Sequence, residues 1–366
     1  MPADLTGECG GAFPVTCSDR PSHERNSDMK KTFFIIAFVL VCSSWAHRPV
    51  QAGTITFGSG ANSFTMTFVR IGNPNNPADT TGYPNPAGSV GIKYDFGKYE
   101  VSRDMINKYN NIYGFSHGLV ITMSSLPNLG ALGDQAPATG VSWNEAARFV
   151  NWMNTSQGYS PAYKFANGNV NSNISLWNPS DTLDYDPTNP YRSKRAFFAL
   201  PSSNEWYKAA YYDPNKGSGG YWDYATGSDT PPISVTGGTL AGSSVYRLFY
   251  AQGPAVVTQA GGLSPYGIMG MNGNVAEWEE TASDLVNDSP SETRGFRGGA
   301  WFDGDPYLSS SFRNCALPEF EHEMIGFRVW SQDPPNGAVP EPTSIAIGSL
   351  FGLGTYLARK RKRREM

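Results

Sequence analysis

Residues 273–278 read Gly-Asn-Val-Ala-Glu-Trp, residues 297–301 read Arg-Gly-Gly-Ala-Trp, and residues 326–328 read Gly-Phe-Arg. In these short segments glycines that suit tight turns stand beside tryptophan, phenylalanine and charged residues. Around them, the section 266–330 consists of short motifs separated by turns. This pattern predicts an irregular α+β domain with a limited sheet and long loops.

Two further segments predict where helices begin. Ser142-Trp-Asn-Glu145 and Ser202-Ser-Asn-Glu205 both have the spacing of a capping box, in which a serine hydroxyl and a glutamate carboxylate cap the first turn. The first predicts a helix with an apolar face, and the second a short helix that ends before Pro214. The stretch 155–196 is polar and predicts a surface loop region with little regular structure.

Five segments occur in a specific order: Val141-Ser-Trp-Asn-Glu-Ala-Ala, Leu200-Pro-Ser-Ser-Asn-Glu-Trp206, and the three quoted above. Together they cover the chain from Tyr94 to Trp330. Their order resembles that in the formylglycine-generating enzyme, or sulfatase-modifying factor, family. The resemblance implies a formylglycine-generating-enzyme-like fold, which is an elaborated C-type-lectin-like single domain of the α+β class. It also implies an ancestry in the oxidation of a substrate cysteine to formylglycine.

Cysteine is scarce where that chemistry needs it. Three of the four cysteines, Cys9, Cys17 and Cys42, precede or lie in a predicted leader, so the mature domain keeps only Cys315. We interpret Cys315 as a small buried apolar side chain rather than as a nucleophile. One thiol excludes an internal disulfide and a multi-cysteine metal site.

The resemblance implies that copper is held by two cysteines five positions apart, upstream of Gly-Phe-Arg. Counting back from Gly326 through Arg313 without gaps places Ser310 and Asp305 at those positions, and neither supplies a thiolate. The sequence therefore argues against copper. Asp305, Ser310 and Arg313 are candidates for a polar pocket, with surface hydrogen bonding as the alternative.

The resemblance also implies a calcium site. Its ligands would be the backbone carbonyls of Gly273 and Val275, the carboxylate of Glu277, and an oxygen-bearing side chain at position 270, where this chain has glycine. Glu277 has an alternative role as a buried carboxylate that ties the turn 272–274 to neighbouring amides. The acidic run 319–323 could bind a divalent ion, but it is more typical of a solvated loop. The tryptophans are assigned to the core: Trp143, Trp206, Trp278, Trp301 and Trp330.

The two ends of the chain resemble export signals. We predict an upstream extension over 1–28, a signal peptide over 29–52 cut by signal peptidase after Ala52, and the domain over 53–333. Residues 334–366 combine Pro-Glu-Pro, a short apolar stretch and a basic run at 359–364. This arrangement resembles the PEP-CTERM sorting signal, which implies an exosortase-type protease as a partner. A plain C-terminal anchor is the alternative. Either predicts a protein of the cell envelope or surface, anchored transiently in the membrane by its C-terminal segment.

Composition narrows the function. Between Gly53 and Pro340 acidic residues outnumber basic ones, 25 to 17, without a basic stripe, which argues against a nucleic-acid partner. The leading hypothesis is an exported, surface-sorted bacterial binding module of this family without the copper–thiol oxidase activity. One alternative is an active formylglycine-generating-type oxidase or another oxidoreductase that uses the same pocket. The other is a lectin-like binder of a glycan or matrix polymer.

Overall fold

The computed structural model describes residues 53–332, except Pro127 and Asn167. The predicted upstream extension, signal peptide and sorting signal lie outside the described residues. Among the helices that are described, none has the length and apolar character needed to cross a membrane.

The described residues contain short strands and short helices joined by long loops. The strands are β1 (Gly53–Phe57), β2 (Phe64–Ile71), β3 (Tyr94–Gly97), β4 (Phe198–Ala199), β5 (Tyr212–Asp213), β6 (Gly220–Tyr221), β7 (Ile233–Ser234), β8 (Ser243–Ser244), β9 (Ala276–Ala282), β10 (Arg294–Arg297), β11 (Asn314–Ala316), β12 (Ile325–Gly326) and β13 (Trp330–Gln332). The α-helices are α1 (Arg103–Tyr109), α2 (Phe115–His117), α3 (Leu129–Leu132), α4 (Trp143–Ser156) and α5 (Ser203–Tyr211). This mixed content confirms the α+β prediction.

Two sheets organise the domain. The larger has the order β1-β2-β3-β13-β4 and is antiparallel, so that the last described strand lies between strands from earlier in the chain. The smaller has the order β11-β10-β9-β12, with β9 antiparallel to β10 and parallel to β12. Its strands β9, β10 and β12 carry the three segments quoted first above.

Both predicted capping boxes are present. The Ser142 hydroxyl accepts a hydrogen bond from the Glu145 backbone N–H at 3.1 Å, and the Ser142 N–H donates to Glu145 Oε2 at 2.9 Å. Ser202 and Glu205 make the same pair of bonds at the start of α5. The sequence therefore placed the first residues of both helices correctly, because a capping box is a local arrangement.

The core assignment of the tryptophans is confirmed, since all five are buried. The loop prediction for 155–196 is only half right. No helix or strand follows Ser156 among the described residues of that stretch, but Tyr163 and Tyr191 are buried. The Tyr163 hydroxyl donates to Glu280 Oε2 at 2.7 Å, so this long loop packs against β9 and covers it.

Candidate functional site

Strand β9 carries three fully buried carboxylates, Glu277, Glu279 and Glu280. Because side chains alternate along a strand, Glu277 and Glu279 share one face, whereas Glu280 lies on the other with Trp278. Buried carboxylates are stable only with charged or hydrogen-bonding partners. Each of the three is paired with arginine.

Glu277 forms a fully buried ion pair with Arg328 of the Gly-Phe-Arg segment. Arg328 Nε donates to Glu277 Oε2 at 2.6 Å, and Trp206 Nε1 donates to the same oxygen at 2.7 Å. The carboxylate thus joins β9, α5 and the segment before β13. Glu277 is thus a buried structural carboxylate, but its partners are Arg328 and Trp206 rather than amides of the turn 272–274.

The surroundings of the predicted calcium ligands argue against a cation there. Arg328 already balances the charge of Glu277, and position 270 has no side-chain oxygen, while the buried Glu100 carboxylate beside it accepts hydrogen bonds from Asn274 Nδ2 at 3.0 Å. The Gly273 N–H donates to the Gly298 carbonyl at 2.7 Å, which holds the turn without an ion. The residues present therefore do not fit calcium well, and no step below uses it; calcium at Gly273, Val275 and Glu277 stays a prediction.

Glu279 lies between two guanidinium groups. Its oxygens accept hydrogen bonds from Arg297 Nε and from Arg313 Nε, the latter at 2.7 Å. Burial alone would raise the pKa of Glu279, but the charges of Arg297 and Arg313 hold it below its usual value. Arg313 also donates to the carbonyls of residues 281–283. The side chain of this predicted pocket residue is only 3% exposed, and it connects the segment before β11 to the end of β9.

The other two predicted pocket residues lie elsewhere. Ser310 is buried, and its backbone N–H donates to the Asp223 carbonyl at 2.8 Å. Asp305 begins a 3₁₀ turn, and its Oδ2 accepts a hydrogen bond from Arg247 Nη2 at 2.6 Å. The structure thus gives Asp305, Ser310 and Arg313 three separate sets of partners.

A cleft of about 350 Å³ opens beside these residues, along β10, β11 and the loop before β12. None of Asp305, Ser310 and Arg313 lines it. Its aromatic side chains are Phe296, Tyr307, Phe312 and Phe320. Its polar side chains are Asp303, Asn314, Cys315, His322 and the edge of Arg297.

Cys315 corrects an expectation from the sequence. It is exposed, not buried, and it borders the cleft. The reason is topological: β11 is the edge strand of its sheet and pairs only with β10, where Cys315 faces Gly295. The residue type alone does not show which strand lies at the edge of a sheet, so the sequence could not predict that Cys315 is exposed.

Asp303 is the carboxylate of the cleft. Burial raises its pKa, against the opposing effect of the hydrogen bond that Oδ2 accepts from the Ala300 N–H at 2.8 Å. Its second oxygen, Oδ1, makes no hydrogen bond to any described residue. His322 lies close enough to lower the pKa of Asp303 by its charge.

The acidic run 319–323 forms the outer lip of the cleft. Glu319, Phe320 and Glu321 are exposed, in agreement with a solvated loop. Across the part of the chain that the structure describes, no three histidine, cysteine or acidic side chains are grouped so that they could hold a metal ion. The sequence analysis did not identify Asp303, Tyr307 and Phe312 as cleft residues. The pattern that could have indicated them is the presence of aromatic residues in a loop rich in glycine, serine and acidic residues.

Comparison with known proteins identifies the family. A family model described as the sulfatase-modifying factor enzyme 1-like domain matches residues 50–332. The chain belongs to this family. A search of the curated proteins gives no significant match.

A comparison with solved structures supports the fold. The chain is similar to Treponema denticola variable protein 1, with a TM-score of 0.53 and 19% sequence identity over 76% of this chain and 99% of that one. It is also similar to CarF (TM-score 0.47, 19% identity, 77% and 99% covered) and to PvdO from Pseudomonas aeruginosa (0.46, 15%, 77% and 99%). At 19% identity the likeness to the Treponema denticola protein shows the fold alone, an elaborated C-type-lectin-like α+β domain of the formylglycine-generating-enzyme type.

Proposed function

We propose that this member of the sulfatase-modifying factor family is an exported, surface-sorted binding module that does not carry out copper–thiol oxidation. Its ligand lies in the cleft between β11 and the loop before β12. The family membership supports the fold, and the side chains that line the cleft determine which kinds of ligand it can bind.

The observation that carries the proposal is the state of the thiols. Cys315 is the single cysteine among residues 53–332, and it lies exposed at the cleft. The two positions that the family resemblance assigns to copper hold Ser310, which is buried, and Asp305, which is paired with Arg247. Copper held by two thiolates needs a second sulfur, which this domain does not supply.

The test is an oxidation assay on the full chain. The protein, loaded with copper under air, is incubated with a cysteine-containing sulfatase peptide, and the peptide is followed by mass spectrometry. We expect no conversion of cysteine to formylglycine, while an authentic formylglycine-generating enzyme in parallel gives conversion. Copper-dependent turnover by this chain would overturn the proposal in favour of the oxidase alternative.

A lectin-like role is the second candidate. The observation that favours it is the group of aromatic rings in the cleft, because sugar rings pack against aromatic faces while their hydroxyls reach nearby polar groups. A glycan array probed with and without a calcium chelator tests it. Complete absence of binding would contradict this role.

The surface address is a separate proposal that rests on the sequence at both ends. Mass spectrometry of the protein from its native envelope reads both termini. We expect the mature chain to begin at Gly53 and to lack the basic run 359–364. A chain that keeps its first 52 residues and its basic end would contradict processing by signal peptidase and by a sorting protease.

A further inference from the structure

The segment that forms the cleft carries an unbalanced negative charge. Residues 299–326 contain five carboxylates and one arginine, and that arginine, Arg313, is turned away to Glu279. Arg297 also borders the cleft: its Nε donates to Glu279, which it shares with Arg313, and its Nη2 donates to the Tyr83 carbonyl, while its buried Nη1 has no hydrogen-bond partner among the described residues. The carboxylates are Asp303, Asp305, Glu319, Glu321 and Glu323.

Of these carboxylates, Asp303 is the one that lines the cleft. Its Oδ2 is held by the Ala300 N–H, which fixes the side chain, while Oδ1 makes no hydrogen bond within the described part of the protein. Asp305 differs, since Arg247 neutralises it. A fixed carboxylate with one free oxygen, in a site walled by aromatic rings, is suited to a cationic donor.

Aromatic rings that line the cleft are exposed to solvent instead of being packed in the core. Tyr307 is 44% exposed and Phe320 is 42% exposed, and the ring of Phe312 lies 4.8 Å from that of Tyr307. Further exposed rings follow near the cleft segment at Phe302 and Tyr250, whose centroids are 6.0 Å apart. Exposed rings that are grouped in pairs, rather than scattered singly, are typical of a binding surface.

We propose that the cleft binds a de-N-acetylated amino-sugar polymer, with the ammonium group of one glucosamine unit on Asp303 and its ring against Tyr307 or Phe320. The inference rests on the proposed binding function and names its ligand class. The acidic lip at 319–323 would attract the further ammonium groups of the polymer.

Two observations favour an amino sugar over a lysine-rich peptide. Polar groups are spread across the cleft at Asp303, Asn314 and His322, which suits a ligand with hydroxyls on several sides. The exposed pair Phe302 and Tyr250 does not line the cleft and offers a second ring surface, which suits a chain of repeated rings. A neutral sugar has no positive charge that would interact with the carboxylates of the lip.

The test compares two oligosaccharides that differ in charge. Binding of a glucosamine oligomer and of the matching N-acetylglucosamine oligomer to the full chain is measured by calorimetry. We expect the glucosamine oligomer to bind at least tenfold more tightly, and its affinity to fall as salt rises because the lip charges are exposed. A tetralysine peptide serves as the cationic non-sugar probe.

Two variants sharpen the result. Asp303→Asn can still accept the Ala300 hydrogen bond, and we expect it to weaken glucosamine binding about tenfold, the effect of losing one charged hydrogen bond. Phe320→Leu removes the aromatic face and is expected to weaken both oligosaccharides. Asp134→Asn, in an exposed turn that does not line the cleft, is the matched control and is expected to bind as the natural protein does.

Cys315 provides an independent readout. Its labelling by a maleimide is followed by mass spectrometry of the peptide that carries it, and bound glucosamine oligomer is expected to slow the labelling. Equal binding of both oligosaccharides, binding of tetralysine alone, or no binding would each overturn the inference. None of these results requires peptide oxidation, so failure here is distinguishable from failure of the non-oxidase proposal.

Discussion

The buried carboxylates of β9 and the carboxylate of the cleft differ in their hydrogen-bond and ion-pair partners. Glu277 and Glu279 have no exposed surface, and arginine side chains from other segments occupy their oxygens. Asp303 is held through one oxygen and leaves the other open. The difference separates acidic groups that hold this fold from an acidic group that is available to a ligand. The first are hydrogen-bonded to arginine through both oxygens, whereas the second is hydrogen-bonded through one oxygen only.

The largest expected effect comes from breaking the Glu277–Arg328 pair. Glu277→Gln removes the hydrogen-bonded counter-charge of the buried Arg328 guanidinium and leaves Glu100 as the carboxylate whose charge still acts on it. Removal of one partner of a buried pair costs about 3–5 kcal/mol. Urea unfolding at pH 7, followed by tryptophan fluorescence, measures this loss of unfolding free energy.

The matched control is an exposed pair on the same domain. Arg195 and Asp184 form an ion pair in which the arginine side chain is 48% exposed, so Arg195→Ala should cost less than about 1 kcal/mol. Equal effects of the two substitutions would mean that the β9 carboxylates do not hold the fold as argued here.

The next effect depends on pH and concerns Glu145 in the capping box of α4. Burial raises the pKa of Glu145 from its usual 4.5 to about 7, with a smaller contribution from the charge of Glu321. Between these two pH values the folded protein binds a proton that the unfolded chain has released. This contribution to stability is therefore largest below pH 4.5 and falls as pH rises towards 7.

Glu145→Gln isolates this contribution. Glutamine still accepts the capping hydrogen bond from the Ser142 N–H but cannot titrate. Relative to this variant, the natural protein should lose about 3 kcal/mol of unfolding free energy between pH 4.5 and 7, since each unit of pKa shift is worth about 1.4 kcal/mol. Parallel stability curves for the two proteins would show that Glu145 does not titrate in this range.

The sequence predicted the parts of the fold that depend on local patterns. Both capping boxes could be predicted because their serine and glutamate are three residues apart and form the cap in the same way in most domains. The buried tryptophans could be predicted because large apolar side chains are buried in most domains. The exposure of Cys315 could not be found, since it depends on β11 lying at the edge of its sheet. The candidate pocket residues found by counting along the chain were Ser310 and Asp305, whose partners come from distant segments.

A smaller effect is expected for two neighbouring serines, Ser202 and Ser203, of which one has a hydrogen-bonded hydroxyl and the other does not. The Ser202 hydroxyl accepts a hydrogen bond at the start of α5, whereas the buried Ser203 hydroxyl makes none. Ser202→Ala should cost about 1 kcal/mol, the usual value of a helix N-cap. Ser203→Ala should be neutral or slightly stabilising, because it removes a buried hydroxyl without a partner. Thermal unfolding of the two variants checks the sign as well as the size.

The smallest effect on stability belongs to the cleft itself. Cys315 is exposed on an edge strand, and the open oxygen of Asp303 bonds to nothing in the described residues. Cys315→Ser and Asp303→Asn should each change the free energy of unfolding by less than about 0.5 kcal/mol, the range of substitutions away from packed or paired groups. The same urea titration used for Glu277→Gln measures them. A loss of 2 kcal/mol or more for Asp303→Asn would move that carboxylate into the structural class, and the cleft would then lack the unpaired charge on which its proposed ligand depends.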